Sequence, residues 1–177
     1  GLMWSAIEYR GETCGYPVVT SQFGPLDICR FPKEVYYYYK KLWTKEPMVH
    51  AYPPWNHRVP EGTMVAVNYF SNCDHVEIYL NGKPQRSGYP LHLQKGSSFP
   101  KFTAEVPFFR GTLEVIGFVD GKEACRHTLR TPEEPAKISA AADRMNIAAD
   151  GEDLAFIRVD IHDKNGTFIP DAAEMLN

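Results

Sequence analysis

The amino-acid sequence predicts a mainly β protein centred on an antiparallel, immunoglobulin-like β-sandwich. Apolar and polar residues alternate between Val76 and Asn81, as a half-buried strand requires. The pairs Asn81-Gly82 and Asp120-Gly121 indicate tight hairpin turns, because these residue types tolerate positive φ. About seven short β-rich segments follow one another at the spacing that is typical of such a sandwich.

Residues 1–47 are expected to form a strand, a long loop and a helix. The apolar residues 2–7 suit a buried strand, and a stretch rich in glycine and proline follows them. Pro32 then suits a first helical turn and Pro47 ends the helix. One apolar helix face is predicted from residues spaced at i, i+4, i+7 and i+8, namely Val35, Tyr39, Leu42 and Trp43. A single strand–loop–helix unit has nothing to bury its faces against, so we expect this segment to belong to a larger fold.

Residues 48–132 carry the predicted sandwich, and residues 133–177 are expected to begin a second one. Strands of the first sandwich are predicted at 64–70, 76–80, 102–106, 113–119 and 124–129. After a proline-containing linker, further strands are predicted at 138–142, 145–148 and 154–161, with turns at Asp150-Gly151 and Asn165-Gly166. The third segment is roughly half of the ~100 residues of a complete sandwich. It is therefore expected either to be part of a second sandwich or to pack on the first.

The composition excludes several classes of partner. The chain has 177 residues, of which 44% are hydrophobic, which is enough for one good core. A formal net charge of -3 provides no basic groove of the kind that binds nucleic acid. No apolar stretch approaches the ~20 residues of a membrane helix, so no membrane partner is expected either. The apolar run that starts at Gly1 indicates that the native N-terminus lies elsewhere.

The four cysteines do not form a metal-binding pattern. They are Cys14, Cys29, Cys73 and Cys125, and no two of them form a C-x-x-C pair, so a zinc site is not expected. Buried or half-buried free thiols are the expected state. A disulfide between Cys73 and Cys125 is an alternative that the sequence spacing does not decide.

Several strings, taken in chain order, carry a family resemblance. The most specific runs from Tyr69 to Lys83 and contains Ser-Asn-Cys-Asp, Val-Glu and Leu-Asn-Gly-Lys. The others lie at 3–12, 23–27, 31–34, 36–44, 54–56 and 149–156. Together they resemble the β-galactosidase-like enzymes of glycoside hydrolase family 2. The resemblance implies that residues 1–47 are the last β/α unit of a (β/α)8 barrel, residues 48–132 an immunoglobulin-like sandwich, and residues 133–177 the start of another.

The resemblance implies that the catalytic residues lie outside this chain. Retaining glycosidases use two carboxylates about 5–5.5 Å apart, and in this family both stand on barrel strands that would precede Gly1. No catalytic residue, metal or cofactor is therefore expected here, and the chain would be an ancillary region of a β-galactosidase-like O-glycosidase that acts on a β-linked oligosaccharide. Glu8 stands where Asp is usual in the family, and Ser-Ala-Ile at 5–7 replaces Thr-Gly-Phe. The resemblance therefore does not identify the sugar that the parent cleaves.

Trp4 and Glu8 are the expected substrate-binding residues. An indole face stacks well on a pyranose, and the family's tryptophan at the position of Trp4 lines the sugar site. The alternative for Trp4 is a core tryptophan in a buried strand. Glu8, and Glu12 beside it, could hydrogen-bond sugar hydroxyls, whereas a solvated or ion-paired loop carboxylate is the plainer interpretation.

The expected partner is the missing barrel of the parent enzyme. The helix face at residues 35–43 is expected to lie on the sandwich or on a second copy of the chain, which predicts a homodimer or an aggregation-prone monomer. A periplasmic or extracellular bacterial location is favoured for the parent. Two other functions are carried as alternatives: an autonomous carbohydrate-binding module, which needs a line of exposed aromatic side chains, and an adhesin-like immunoglobulin module that binds protein.

Overall fold

The computed structural model describes residues 3–88 and 101–173. These residues form one helix, α1, and nine strands, β1 to β9. No helix in this part of the chain is long and apolar enough to cross a membrane. In chain order the elements are α1 (Glu34–Trp43), β1 (Val49–Tyr52), β2 (Met64–Ser71), β3 (His75–Leu80), β4 (Lys83–Gly88), β5 (Phe102–Pro107), β6 (Thr112–Val119), β7 (Lys122–Arg130), β8 (Pro135–Ala142) and β9 (Ile157–Asp163).

The first seven strands form the predicted immunoglobulin-like sandwich. One sheet has the order β1-β2-β5 and the other has the order β4-β3-β6-β7, and every pairing is antiparallel. His127 of β7 accepts a hydrogen bond from the backbone N–H of Ala51 in β1 at 2.8 Å, which links the two sheets along one edge. The prediction of a mainly β, antiparallel fold is confirmed.

The inward faces of both sheets supply the core. In β3 the side chains of Val76, Ile78 and Leu80 are buried while their neighbours are only half-buried, as the alternation predicts. Trp55 closes one end of this core with 1% of its surface exposed, and its indole N–H donates to the carbonyl of Phe109 at 3.0 Å. The remaining fully buried members include Val67, Val106, Leu113 and Val115.

The first predicted hairpin turn joins β3 to β4 and also secures the neighbouring loop. Asn81 and Gly82 both have positive φ, at 51° and 74°. The Asn81 side chain accepts from the Thr112 N–H at 2.8 Å and donates to the Arg110 carbonyl at 3.0 Å. Gly111 lies directly beneath it, and a Cβ there would stand 2.0 Å from Asn81 Oδ1. Any side chain at position 111 would therefore displace the asparagine that fixes this end of the sandwich.

The helix forms where the sequence predicts it but packs through a different face. It begins at Glu34, after Pro32, and ends at Trp43, before Pro47. The ring of Tyr37 stacks on His50 with centroids 3.4 Å apart, and Tyr38 packs edge-on against Phe70 at 5.9 Å. These contacts fix α1 to the β1-β2-β5 sheet.

The predicted apolar helix face is therefore not the one that the sandwich buries. Leu42 is 55% exposed and Trp43 is 69% exposed, whereas Val35 and Tyr39 are half-buried. The helical period placed these four residues on one side correctly. The expectation that the sandwich hides them is wrong, because Tyr37 stacks on His50 and Tyr38 packs edge-on against Phe70, which turns this side away from the sandwich.

The first residues do not form the buried strand that their apolar character predicts. Leu2 lies outside the described residues. From Met3 onward the chain is irregular, with a parallel bridge between Ile7 and Leu26 and an antiparallel bridge between Arg10 and Thr20. Both Trp4 and Ile7 are exposed. A fully buried strand is paired with neighbouring strands, and among the described residues only short loop segments pair with this one.

The third segment is a two-stranded antiparallel hairpin of β8 and β9. The prediction of a strand at 145–148 is wrong, since these residues are exposed and irregular, and β9 runs over Ile157–Asp163 instead of 154–161. All residues of β8 are exposed. Arg158 of β9 lies over the ring of Phe31, and Asp171, which follows the hairpin, pairs with Asn56 and Arg58.

The buried carboxylate of Asp163 holds the end of this hairpin. It accepts backbone N–H bonds from Glu133, Asn165 and Thr167 at 2.8–3.0 Å. These donors, that of Glu133 first, hold the pKa of Asp163 below its ordinary value of 3.8. Since the unfolded carboxyl binds its proton at higher pH, the stabilisation is complete above about pH 4 and is lost as the pH falls through the lowered value.

Replacing Asp163 with asparagine is expected to destabilise the β8–β9 hairpin at neutral pH and to remove its acid-dependent opening. An amide offers one acceptor oxygen where the carboxylate offers two, so at least one of the three N–H donors loses its partner. The measurement is hydrogen exchange of the Ile169 amide, which donates to the Ile161 carbonyl, between pH 2.5 and 7. Glu134→Gln, an exposed neighbour, is the control, and equal behaviour of both variants would contradict the account.

Candidate functional site

The exposed indole of Trp4 is the centre of the candidate site. Its side chain is 76% exposed. The ring N–H donates to the hydroxyl of Tyr9 at 3.1 Å and lies 3.4 Å from a carboxylate oxygen of Glu12. Two acceptors therefore fix the ring by its polar edge and leave its apolar face in solvent. A planar, fixed and exposed indole of this kind can stack on the apolar face of a sugar ring.

Glu8 does not share this surface. Its carboxylate forms an ion pair with the ammonium group of Lys33, and only 10% of its side chain is exposed. Lys33 also donates to the carbonyl of Gln22 at 2.9 Å. The ion-paired alternative considered for Glu8 thus describes its position here. Its carboxylate connects the Trp4 segment to the residue just before α1.

Close backbone contacts complete the support beneath Trp4. The Glu8 N–H donates to the Leu26 carbonyl at 3.0 Å, and the Ser21 N–H donates to the Tyr9 carbonyl at 2.8 Å. The fully buried Ser21 hydroxyl accepts the Tyr9 N–H at 3.1 Å in return. Gly24 passes so close that a Cβ there would lie 2.8 Å from the Glu8 nitrogen. This loop therefore holds residues 7–9 without the neighbours of a regular sheet.

Lys33→Met is expected to loosen the Trp4 segment. It leaves the mostly buried Glu8 carboxylate without its cation, and loss of a hydrogen bond to a charged group costs about 1.5–3 kcal/mol. Local opening should then make the amides of Glu8 and Ser21 exchange at least about tenfold faster, while amides of the sandwich are unchanged. Lys45→Met, on an exposed loop residue, is the control. Unchanged exchange at Glu8 and Ser21 would show that the ion pair does not hold this segment.

Two residues that shape this site, Tyr9 and Lys33, were not predicted from the sequence. Tyr9 fixes the indole, and Lys33 pairs with Glu8. Tyr9 follows Glu8 directly, but nothing in its spacing marks it as the partner of Trp4. Lys33 is 25 residues from Glu8, which is too far apart for a helical or strand periodicity to connect.

The other polar residues that invite a metal or catalytic interpretation have structural partners. Asp74 accepts the Asp120 N–H at 3.1 Å and so caps the second hairpin turn. Asp160 pairs with Arg158 at 2.7 Å, and Asp163 is occupied by backbone donors. Within residues 3–88 and 101–173, no group of three or more His, Cys, Asp or Glu side chains could hold a metal ion.

The described residues of the sandwich offer little aromatic surface. Trp55, which could have marked a sugar-binding patch with Tyr52 and its neighbouring prolines, is buried in the core. Of the aromatic side chains that the structure describes in residues 48–132, Phe109 is the one that is exposed. The line of exposed aromatics that an autonomous carbohydrate-binding module needs is therefore not formed by these residues.

Comparison with known proteins gives consistent matches over nearly the whole chain. A family model described as a domain of unknown function (DUF4982) matches residues 62–125, which span β2 to the first part of β7. The chain is 34% identical to the β-galactosidase BoGH2A of Bacteroides ovatus over 99% of its own length and 20% of that protein. It is also 34% identical to a β-glucuronidase of Formosa agariphila over 86% of its length and 15% of that protein.

A solved structure extends these matches to the fold. A glycosyl hydrolase family 2 member from Bacteroides cellulosilyticus superposes with a TM-score of 0.79 at 26% identity, covering 93% of this chain and 26% of that one. The fold and the matches together show a mainly β region that resembles one part of these larger proteins. The chain belongs to glycoside hydrolase family 2, as the order of its motifs predicts. It spans a fifth or less of the length of the two relatives named above.

Proposed function

We propose that this chain is an ancillary, non-catalytic region of a retaining, β-galactosidase-like hydrolase. In this proposal residues 1–47 complete the catalytic barrel, residues 48–132 buttress it, and residues 133–177 begin a second sandwich. The observation that carries the proposal is the indole of Trp4, which is exposed yet held at its edge by Tyr9 and Glu12. A side chain fixed in this way suits one wall of a sugar site whose other walls lie elsewhere in the parent.

An apolar groove beside the first residues supports the proposal that another part of the parent enzyme packs there. A groove of about 440 Å³ runs between the first residues and α1, and its lining is mainly apolar. An exposed groove with a mainly apolar lining suits contact with another apolar surface. The proposed occupant is the rest of the barrel, which would pack beside the last β/α unit. The groove is lined by Met3, Ala6, Pro25, Leu26, Tyr39 and Trp43, among others.

The proposed substrate of the parent is a β-linked glycoside. The relatives are a β-galactosidase and a β-glucuronidase, so both galactoside and glucuronide are candidates for the sugar. Trp4 would contribute apolar stacking, which does not distinguish between these sugars. Glu8 would act as a positioning residue through Lys33. The test is turnover of an aryl β-galactoside, an aryl β-glucuronide and an aryl β-mannoside by the parent and by this chain alone.

The isolated chain is expected to self-associate through the same surface. Leu42 and Trp43 are exposed beside the apolar groove, and burying them against a second copy removes apolar area from water. Light scattering should show a dimer or larger species at high concentration, and the double variant Leu42→Glu, Trp43→Glu should shift it to monomer. Tyr16→Glu, at a fully exposed loop tyrosine, should leave association unchanged. A wild-type chain that is monomeric at every concentration would contradict this expectation.

A further inference from the structure

Two thiols meet where the connection between β2 and β3 passes over the paired strands β6 and β7. Cys73 follows β2 of one sheet and is 8% exposed, whereas Cys125 stands in β7 of the other sheet and is half-buried. Their Sγ atoms are 3.4 Å apart, and both are free cysteines. The two residues are 52 positions apart in the chain, so this contact depends on the fold and not on local sequence.

Gly117 makes this contact possible. It is the direct cross-strand partner of Cys125 in the β6–β7 pairing. A Cβ on Gly117 would lie 2.6 Å from Sγ of Cys73 and 2.8 Å from Sγ of Cys125. Both thiols thus occupy the space above a residue without a side chain. The same position is 3.3 Å from Cβ of Cys73, so this side chain also lies directly over Gly117.

We propose that Cys73 and Cys125 are the site of a disulfide that forms in the folded chain when it meets a disulfide oxidant. A disulfide needs the two sulfurs at about 2.05 Å. The 3.4 Å separation can close by rotation about the Cα–Cβ bonds. The bond would join the connection between β2 and β3 to β7, across Gly117 of β6.

The oxidation proceeds by thiol–disulfide exchange with a small or protein disulfide. The thiolate of Cys125, the more exposed of the two, attacks one sulfur of the oxidant and releases one thiol of that oxidant. The thiolate of Cys73 then attacks Sγ of Cys125 in the mixed disulfide and releases the second thiol. Two cysteine thiols are oxidised, one external disulfide is reduced to two thiols, and the two cysteine protons leave to solvent or to the departing thiolates.

The environment of the pair makes this exchange slow in the folded state. Burial, followed by the neighbouring Cys73 thiol, raises the pKa of Cys125 to about 12. Since the thiolate is the nucleophile, only a small fraction is reactive near neutral pH. We therefore expect oxidation over minutes to hours without a catalyst, and faster as the pH rises.

The experiment uses the chain with its two exposed cysteines removed, Cys14→Ser together with Cys29→Ser, so that only the buried pair can react. The native protein is incubated with oxidised glutathione at pH 8.5, then denatured and alkylated, and its mass is measured by mass spectrometry. The expected product has lost about 2 Da and takes up no alkyl group, and peptide mapping links residues 73 and 125. Its thermal midpoint should exceed that of the reduced form by roughly 5–15 °C, as closure of a long loop predicts.

Two controls make the outcome decisive. Adding Cys125→Ser to the same background must abolish the intramolecular link, while circular dichroism confirms that the sandwich is retained. Reaction in 6 M guanidinium tests whether the fold is needed. If both thiols stay alkylatable in the native protein after a day, or if the link forms only in denaturant, the proposal is overturned. This outcome is independent of any glycosidase assay.

Discussion

Trp55→Ala is expected to lower the free energy of unfolding of the sandwich by about 3–5 kcal/mol, which is the usual cost of truncating a buried tryptophan. The indole of Trp55 is 1% exposed and packs on the ring of Phe108 with centroids 5.2 Å apart. Its N–H also satisfies the carbonyl of Phe109. The substitution leaves a cavity at the end of the core and a carbonyl without its donor. For a domain of this size, that loss is a large fraction of the total stability.

Two further variants separate the contributions of packing and hydrogen bonding. Trp55→Phe keeps an aromatic ring but loses the N–H, so it should cost about 1–3 kcal/mol. Met64→Ala removes a side chain that is exposed on β2, and should change stability by less than about 1 kcal/mol. Urea denaturation, monitored by far-UV circular dichroism because that signal does not depend on tryptophan fluorescence, measures the stability of all three variants. A Trp55→Ala protein as stable as Met64→Ala would mean that Trp55 does not close the core.

Trp4→Ala in the parent enzyme is expected to lower kcat/KM by about 10- to 100-fold, without a matching loss of stability. The side chain is exposed and contributes little buried area, whereas its fixed ring would orient the sugar relative to the catalytic groups. Part of the loss should appear in kcat, because a misplaced sugar reaches the transition state less often.

The matched comparison is Tyr16→Ala, another exposed aromatic residue of the same segment, which should leave kcat/KM unchanged. Tyr9→Phe provides a second comparison, because it removes the hydroxyl that accepts the Trp4 N–H and keeps the ring. It should give an intermediate loss. Wild-type kinetics for Trp4→Ala on every substrate that the parent cleaves would remove Trp4 from the proposed sugar site.

Local signals in the sequence predict most of the sandwich. The alternation in β3 and the pairs Asn81-Gly82 and Asp120-Gly121 act over a few residues, and the structure contains both turns with positive φ. The signals that predict the helix are equally local, since its apolar period and Pro32 lie within one short stretch of sequence. These features depend on backbone preferences that neighbouring elements do not change.

Features that depend on distant partners could not be predicted in this way. Which helix face packs inward was decided by Tyr37 stacking on His50, a residue in another element. The pairing of Glu8 with Lys33 joins positions that no periodicity relates. The apolar run at the N-terminus predicted a strand because its composition suits one, but a strand needs neighbours, and loop contacts replace them here.

The most direct test of the central claim is a glycosidase assay of this chain beside its full-length parent, with aryl β-galactoside, β-glucuronide and β-mannoside. We expect an active parent and an inactive chain, because no pair of carboxylates on this chain is proposed to act on a glycosidic bond. Enzyme-like turnover of any of the three substrates by the chain alone would contradict it. Glu8, Glu12 and Glu77 would then be the first residues to replace.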